Sequence, residues 1–505
     1  MKKFVPFVLL ALLLVSGAEA ENQLVYRSDF STSEDGWYAR SAGGAAVSLT
    51  ADDSLLIEGR TSDWNSPGRN FDLQPGQEYQ LSVQVRQTEA GEARFMISIA
   101  HSVGGVESYE NLGAAMAKKG EWTTVNGQYT AGAFDQYVLY VETTGAAALS
   151  FEIRDFTVTQ RVIAENADPL PALKDIYAEK FDFGTAVTYY EAINKQRMDF
   201  YATQFNIFTP GNELKPDSVL DIKESKKLAA GDETAVAVHF DAAKPLLDYA
   251  KEHGLKVHGH VLVWHQQTPD AFFREGYSTS KPYVTREVML ARLENYIKAV
   301  MAYMEENYPG VIVSWDVLNE AVDDGAAKLR SSKWLTIVGE DYPARAFEYA
   351  RKYAPEGTLL FYNDYNTALE PKQTGIVNLL KDLIAEGNID GYGFQMHHDL
   401  AFPGNEQIEK SLQRIAGLGL QLRVSELDVT VPDHTDDTLQ RQAKKYAAIM
   451  KMLDEYTDRL LAVQVWGVTD DLSWRAPKYP LLFDKDFQPK PAFWAVADPA
   501  SVEEK

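Results

Sequence analysis

Two glutamates stand at or near the ends of strand-like segments. Glu320 ends VIVSWDVLNE (311–320), and Glu426 lies inside LRVSELDV (422–429). Two carboxyl groups about 5–5.5 Å apart can cleave a glycosidic bond with retention, because one protonates the leaving oxygen while the other attacks the anomeric carbon. Structural ion pairs are the alternative for isolated glutamates. The residues around these two therefore decide between the interpretations.

Histidines near these segments raise the alternative of a metal site. The histidines in question are His260, His265, His397 and His398. None of them has the H-E-x-x-H spacing of a zinc protease, and the chain contains no cysteine. No glycine-rich or Walker nucleotide motif is present either. The sequence thus predicts catalysis without a metal or another cofactor.

Apolar strand-like runs alternate with amphipathic helical segments over residues 173–499. The eight runs span residues 181–187, 205–210, 256–264, 311–320, 358–366, 391–398, 422–429 and 461–470. Helices are expected at 241–253, with Asp241 as N-cap and Gly254 just beyond the end, and at 285–308. Eight alternations predict an α/β fold, a (β/α)₈ TIM barrel, whose chemistry lies at the carboxyl ends of its strands.

Residues 21–160 have a different pattern. This part is rich in Gly, Ser, Thr and Ala, and short stretches such as QLSVQVR (80–86) alternate apolar and polar residues. Similar stretches occur at 94–100 and 136–143. The pattern predicts an all-β sandwich of the jelly-roll type. Residues 161–172, with Pro169 and Pro171, are expected to be a linker between this module and the barrel.

The first 20 residues resemble a secretory signal peptide. Lys2 and Lys3 precede an apolar run at 4–15, and residues 18–20 read AEA. We therefore expect a secreted protein, extracellular or periplasmic, without a membrane anchor. The net charge of −24 disfavours nucleic acid and anionic membranes as partners but does not repel a neutral polysaccharide. A monomer is expected.

Seven motifs in the same order make residues 173–497 resemble glycoside hydrolase family 10, the endo-β-1,4-xylanases. They are GHVLVWHQQTP (259–269), WDVLNEA (315–321), FYNDYN (361–366), IDGYGFQMHH (389–398), SELDV (425–429), WGVTDDLSWR (466–475) and KPAFWAV (490–496). The resemblance implies that Glu320 is the general acid/base and Glu426 the nucleophile. His397 is expected to hydrogen-bond Glu426, with Asp428 behind it. Asn319 resembles the family residue that binds the sugar 2-hydroxyl.

The same resemblance implies a substrate cleft for xylan and xylo-oligosaccharides. Its expected sugar-binding residues are Asn212, Lys215, His260, Trp264 and Gln267 on the nonreducing side, Gln395, Trp466 and Trp474 near the cleavage site, and Tyr365 on the reducing side. The chain departs from the family pattern at Gly211 and Pro216, where a glutamate and a tryptophan are usual. Both departures concern the second nonreducing subsite, where the usual glutamate would contact a sugar. Residues 218–238 are expected to form a surface excursion.

The N-terminal module resembles a family 22 carbohydrate-binding module over residues 24–159. The likeness rests on GWYARS (36–41), GRTSDWNSPG (59–68), LQPGQEYQLSVQV (73–85), EWTTVNGQYT (121–130) and LYVET (139–143). It implies a xylan groove lined by Arg40, Trp64, Tyr109, Tyr140 and Glu142, although Trp64 could be a core residue instead. Asp155 lies where such modules often bind a structural calcium.

The leading hypothesis is therefore a retaining endo-1,4-β-xylanase with a xylan-binding module. One alternative is a β-1,4-glucanase or mixed-specificity glycanase on the same barrel. Another is a noncatalytic polysaccharide-binding protein. The second alternative is disfavoured because Glu320, Glu426 and the support of Glu426 are all present in the sequence.

Overall fold

The computed structural model of the chain describes residues 22–40, 45–163 and 169–502. The expected signal segment at 1–20 lies outside the described residues, as do residues 164–168 of the expected linker. Among the described residues, no helix combines the length and apolar composition needed to cross a bilayer.

The N-terminal part of the described chain contains eleven strands. They are β1 (Asn22–Ser28), β2 (Tyr38–Ala39), β3 (Ala46–Leu49), β4 (Leu55–Glu58), β5 (Pro67–Phe71), β6 (Glu78–Arg86), β7 (Glu92–Val103), β8 (Val106–Lys118), β9 (Thr123–Thr130), β10 (Gln136–Thr144) and β11 (Phe151–Arg161). One antiparallel sheet has the order β3-β4-β11-β6-β9, with β1 beside β11, and the other has β2-β5-β10-β7-β8. The predicted β-sandwich is confirmed.

Alternation along the strands explains how the sandwich closes. In β6, Leu81, Val83 and Val85 are buried and belong to the module core. In β10, Leu139 and Val141 are fully buried in the same core. Burial of each such side chain stabilises the folded module by about 1.5–3 kcal/mol. The intervening side chains of β10 consequently lie on the opposite face of their sheet.

The C-terminal part is a closed parallel barrel. Its strands are β12 (Asp182–Val187), β13 (Ile207–Pro210), β14 (Lys256–Trp264), β15 (Ile312–Asn319), β16 (Leu359–Asp364), β17 (Gly391–Phe394), β18 (His397–Asp399), β19 (Gln421–Thr430) and β20 (Leu460–Val465). Eight of them follow the order β17-β16-β15-β14-β13-β12-β20-β19, and β17 pairs with β19 to close the ring. The short strand β18 pairs with β19. The predicted (β/α)₈ barrel is confirmed.

Thirteen α-helices lie in the described residues, all of them in the C-terminal part. They are α1 (Leu173–Ile176), α2 (Tyr189–Ala192), α3 (Lys195–Gln204), α4 (Pro216–Val219), α5 (Ile222–Leu228), α6 (Lys244–His253), α7 (Arg286–Asn307), α8 (Lys333–Ile337), α9 (Tyr342–Tyr353), α10 (Lys372–Glu386), α11 (Asn405–Ala416), α12 (Asp436–Leu453) and α13 (Pro491–Ala497). The helix expected from Asp241 begins at Lys244 instead. A turn precedes it, in which the backbone N–H groups of Ala243 and Lys244 both donate to Phe240. Gly254 ends it at φ 65°, as expected.

The excursion at 218–238 is packed against the barrel. Its backbone bridges Leu220 to Val238, and α5 lies within it. Arg292 of α7, which is fully buried, donates to the Glu233 carboxylate at 2.7 Å and to its carbonyl at 2.9 Å. One of the polar residues of this segment, Glu233, therefore pairs with a buried guanidinium.

A close approach inside the barrel fixes strand β14. A Cβ atom at Gly259 would lie 2.3 Å from the ring of Trp315 on β15. Only glycine lets these strands pack at this spacing. The next residue, His260, and Trp264 at the strand end both line the cleft at the mouth of the barrel.

Candidate active site

A cleft of about 560 Å³ opens at the carboxyl ends of the barrel strands. All the barrel residues expected to act in catalysis or sugar binding line it except Asp428, which lies behind His397. Those that line it are Asn212, Lys215, His260, Trp264, Gln267, Asn319, Glu320, Tyr365, Gln395, His397, Glu426, Trp466 and Trp474. Gly211 also lines the cleft, together with Thr188, Glu191 and Leu472. The cleft therefore unites residues from almost the whole length of the barrel sequence.

Glu426 is buried on β19 with both carboxylate oxygens occupied. Asn363 donates to Oε1 at 2.7 Å, and His397 Nε2 lies 3.1 Å from Oε2. Burial alone raises the pKa of Glu426. The hydrogen bond and charge of His397, assisted by His260 and Asn363, outweigh burial and lower this pKa below its ordinary value. Glu426 is therefore held as a carboxylate.

His397 is held between two carboxylates. Its Nδ1 lies 2.8 Å from Asp428 Oδ2, on the side opposite Glu426. Burial lowers the pKa of His397, but the two carboxylates outweigh burial and raise the pKa above its ordinary value. Asp428 is in turn held by Arg475, at 2.5 Å, and by Trp474 Nε1, at 3.1 Å. The contacts expected of His397 are present, and the ring is held as a cation.

Glu320 lies across the cleft at the end of β15. Trp264 Nε1 donates to its Oε2 at 2.9 Å, and Gln395 donates to its Oε1 at 3.0 Å. Its φ of 53° is in the left-handed region, which costs a non-glycine residue energy. A backbone hydrogen bond to Asn363 and one from Arg330 Nε hold that conformation. The carboxyl group is thereby aimed into the cleft.

A chain of side-chain amides links the two glutamates. Gln395 contacts both Glu320 and the Asn319 amide, at 3.0 and 3.2 Å. Asn363 contacts both the Asn319 amide and Glu426, at 3.0 and 2.7 Å. Each carboxylate is thus positioned relative to the other through fixed hydrogen bonds. Asn319 lies in the middle of the chain, between the two glutamates.

The residues expected on the nonreducing side form one polar group. Lys215 donates to Asn212 at 3.0 Å, and Gln267 lies 3.4 Å from the same amide oxygen. Lys215 Nζ also lies 5.1 Å from the ring centre of Trp264. The wall would accept a side chain at Gly211, since a Cβ atom there would make ordinary van der Waals contact with Thr188 at 3.6 Å.

Aromatic residues and a buried histidine complete the walls. His260 is fixed by Asp316 at 2.9 Å and meets Trp466 edge to face at 5.5 Å. Trp474 is 65% exposed and lies edge to face with His397 at 5.0 Å. These two tryptophans present apolar surface next to the glutamates.

Tyr365 is held over Lys372, with the ammonium 3.4 Å from the ring centre. Its hydroxyl donates to Asp324 at 2.6 Å. Arg330 donates to the same hydroxyl at 2.9 Å. The ring of this cleft residue is therefore fixed by three neighbours.

Three residues of this site contact the catalytic groups in ways that sequence reasoning did not predict. Asn363 holds Glu426, Arg475 holds Asp428, and His265 Nδ1 lies 4.0 Å from Glu320. Asn363 could have been found, because it stands near the end of β16 inside FYNDYN. Arg475 ends the WGVTDDLSWR motif (466–475), but it lies in a loop beyond the last strand, so a strand-end position could not indicate its role.

The N-terminal module presents part of the expected groove. Trp64 is 54% exposed and Tyr109 60%, so the core alternative for Trp64 is excluded. Tyr140 and Glu142 share a face of β10, as expected, and Glu142 accepts from Ser98 at 2.7 Å. Tyr140 differs from expectation. It is buried because the guanidinium of Arg40 covers its ring at 3.7 Å, so it offers no open platform.

Asp155 pairs with Arg27 at 3.1 Å. Within the described ranges, no group of three or more His, Asp or Glu side chains is placed to hold a metal ion. The Asp155 carboxylate is thus already paired with a guanidinium. Oxygen-rich coordination of the kind that calcium prefers would need several more oxygen ligands.

Comparison with known proteins agrees with this geometry. The family model of glycosyl hydrolase family 10 matches residues 172–499, and that of a carbohydrate-binding domain matches residues 22–148. The chain is 34% identical to endo-1,4-β-xylanase A of Thermoanaerobacterium saccharolyticum over 90% of its own length and 39% of the relative. It is 32% identical to a protein of Acetivibrio thermocellus named an exoglucanase, over 95% of this chain and 45% of the relative.

A solved structure shares both parts of the chain. It contains the family 22 and family 10 modules of endo-1,4-β-D-xylanase 10B of Clostridium thermocellum with xylohexaose. It covers 95% of this chain and 98% of its own at 28% identity, with a TM-score of 0.62. The chain spans less than half the length of the curated relatives named above. Since the family model covers the whole barrel, the chain belongs to glycosyl hydrolase family 10.

Proposed function

We propose that the chain is an endo-1,4-β-xylanase that hydrolyses internal bonds of xylan with retention of configuration. The observation that carries the proposal is the pair of glutamates in one cleft, with one held ionised. Glu426 keeps its charge through His397 and Asn363, whereas Glu320 is held by neutral donors from Trp264 and Gln395. This division matches the needs of a nucleophile and an acid/base.

In the first step, Glu426 attacks the anomeric carbon while Glu320 donates a proton to the leaving glycosidic oxygen. A covalent glycosyl-enzyme forms and the leaving sugar departs with its hydroxyl restored. Asn319 lies between the two carboxyl groups, where an amide can bind the 2-hydroxyl of the reacting sugar. Such a bond strengthens in the transition state and accelerates the step.

In the second step, Glu320 removes a proton from water, and the resulting nucleophile attacks the same anomeric carbon. Glu426 leaves as a carboxylate, which His397 stabilises as charge returns. Two inversions give net retention. No step needs a metal or another cofactor, since the two carboxyl groups carry all the proton and bond changes.

Xylan is the proposed substrate because the cleft walls are bulky beside the glutamates. Xylose lacks the hydroxymethyl group at C6 that glucose carries, so Trp466 and Trp474 can pack close to the sugar. The alternative is a β-1,4-glucanase, and the relative named an exoglucanase favours testing it. Initial rates on xylan and carboxymethyl-cellulose decide. We expect xylan to be preferred by at least about 100-fold, which is about 2.7 kcal/mol, and equal rates would reject the assignment.

We further propose that the protein acts outside the cytoplasm as a monomer. Lys2, Lys3 and the apolar run at 4–15 support export, followed by cleavage after residue 20. The proposed partners are xylan and xylo-oligosaccharides, bound by the cleft and by the module. A structural calcium at Asp155 stays a prediction, and the pairing of this carboxylate with Arg27 does not favour it.

The module should bind xylan through its exposed aromatic side chains. We use a Glu426→Ala background, which prevents hydrolysis. In it, Trp64→Ala or Tyr109→Ala should lower the affinity for xylan, measured by retardation in xylan-containing gels, by about tenfold or more. Exposed aromatic anchors dominate binding energy. The barrel variant Trp494→Ala removes a tryptophan of similar exposure (49%) and serves as the control. Unchanged retardation of both module variants would remove the groove assignment.

The ion pair behind the nucleophile should set the acid limb of the pH profile. His397→Gln removes the cation that the two carboxylates hold beside Glu426. Glu426 then loses the charge that depresses its own pKa, and that pKa rises. We expect the acid limb of kcat/KM to move to higher pH by about one unit or more. The exposed Asp433→Asn is the control, and an unmoved acid limb contradicts the role of this pair.

A further inference from the structure

Arg161, the last residue of the module's final strand, reaches across to the barrel. Its Nη1 lies 2.7 Å from Asp471 Oδ2 and its Nη2 lies 3.3 Å from Asp486 Oδ1, both on the barrel. Within the module, Nη1 lies 3.4 Å from Glu78. The side chain is only 20% exposed. A partly desolvated guanidinium with three carboxylates is screened less by water than a surface pair is.

A second guanidinium crosses the seam in the opposite direction. Arg197 of α3, only 7% exposed, donates to Glu78 at 2.9 Å. Asn194 beside it donates to the backbone carbonyl of Gly76 in the module at 3.0 Å. Glu78 thus pairs with one arginine from the module, Arg161, and with one from the barrel, Arg197. The module is therefore fixed to the barrel at this point by directional, charge-assisted hydrogen bonds.

Asp471, one of the two barrel residues that Arg161 contacts, belongs to a loop of the cleft. Asp471 directly precedes Leu472, which lines the cleft, and Trp474 follows two residues later. Trp474 contacts His397 and donates to Asp428. The whole segment 470–475 is called the Trp474 loop below. A shift of this loop would consequently change both the cleft wall and the contacts of Trp474 with His397 and Asp428, which lie behind Glu426.

The Trp474 loop is anchored from two sides. On the barrel side, Asp470 pairs with the buried Lys490 at 2.9 Å and accepts from the backbone of Leu481 at 2.8 Å. On the module side, Asp471 pairs with Arg161. Adjacent aspartates therefore tie the same turn to two different domains. Loss of the module anchor leaves the turn attached on one side only.

We propose that Arg161 is a positioning residue: from the module, it fixes the Trp474 loop so that Trp474 keeps its place beside the cleavage site. The proposal rests on the proposed xylanase function. It gives the module a role inside the catalytic cleft, in addition to any binding of substrate in its own groove.

The kinetic test uses the full chain and xylohexaose. We expect Arg161→Gln to raise KM about five- to tenfold while kcat stays within about twofold, because a loosened Trp474 binds the sugar less well. Asp471→Asn should have the same effect from the other side of the contact. The double variant should be no worse than either single one, as for two residues that act through one contact. Arg161→Lys, which keeps the charge but loses the planar fork, should be intermediate.

Arg27→Gln is the matched control. It removes an exposed arginine from the same module that pairs with Asp155 at 3.1 Å within the module. We expect wild-type kinetics from it. An additive double variant, or an unchanged KM in Arg161→Gln and Asp471→Asn, overturns the proposal.

A spectroscopic readout separates positioning from general stability. In protein labelled with 5-fluorotryptophan, the fluorine signal of Trp474 is assigned by its loss in Trp474→Phe. We expect Arg161→Gln and Asp471→Asn to shift or broaden this signal well below the melting temperature, while Arg27→Gln leaves it in place. An unmoved Trp474 signal overturns the proposal even if KM changes. A wild-type protein without activity on xylan rejects the proposed function instead, and the fluorine signal still tests the anchor.

Discussion

Glu426→Ala is expected to leave no more than about 1% of the wild-type rate, both on xylan and on activated aryl xylobiosides. The substitution removes the group that forms the covalent intermediate, and a 100-fold loss corresponds to about 2.7 kcal/mol of transition-state stabilisation. A good leaving group does not help, since the missing group is the nucleophile. Initial rates on both substrates measure the effect.

Azide sharpens this prediction. A small anion in the space left by the carboxylate should attack the anomeric carbon once and give the α-glycosyl azide, because a single displacement inverts a β-substrate. The exposed Glu386→Ala on α10 serves as the control and should behave like the wild type. Retention of more than about 1% of the rate by Glu426→Ala, or formation of the β-azide, would show that Glu426 is not the nucleophile.

Glu320→Ala should divide the substrates instead. In xylan the leaving group is the next sugar, whose alkoxide departs poorly and needs a proton. Hydrolysis of xylan should therefore fall by about 100-fold or more, within the range that general acid catalysis supplies. An activated aryl xylobioside leaves without that proton and should still form the glycosyl-enzyme. Because no base then activates water, the second step should stall, giving a burst of aryl alcohol followed by a slow phase. Stopped-flow absorbance measures both phases.

Added azide should relieve that stall. The anion attacks without a base, and the two displacements together give the β-glycosyl azide. The stereochemistry of the azide product therefore differs between the two alanine variants. An α-azide from Glu320→Ala, or equal losses on xylan and on the aryl substrate, would contradict the acid/base role.

The barrel and its reactive pair could be predicted because they leave local patterns. Each strand is a short apolar run, and several strands carry polar side chains at or near their carboxyl ends, where the cleft lies. Glu320 and Glu426 follow this rule, as does the overlooked Asn363. In contrast, an amide at a strand end does not reveal whether it will contact sugar or a carboxylate. That choice depends on the distance between β16 and β19.

Contacts between distant segments could not be predicted. Arg161 and Asp471 are 310 positions apart, and nothing in either neighbourhood indicates the other. The covering of Tyr140 by Arg40 is similar, since strand alternation gives the face of a residue but not what lies over it. At Asp241 a local capping preference was outweighed by the turn at Phe240, which delays the helix to Lys244. Tertiary packing decided the first two outcomes, and a competing local turn decided the third.

Trapping the covalent intermediate on Glu426 is the decisive test of the retaining mechanism. An aryl 2-deoxy-2-fluoro-β-xylobioside forms the glycosyl-enzyme but slows its hydrolysis, because the fluorine disfavours the positive charge of the transition state. Mass spectrometry of the intact protein and its peptides then locates the sugar. We expect one xylobiosyl group per chain, on the peptide containing Glu426. A label on a different carboxylate, or turnover of unmodified substrate to an α-product without any label, would show that Glu426 does not form the intermediate.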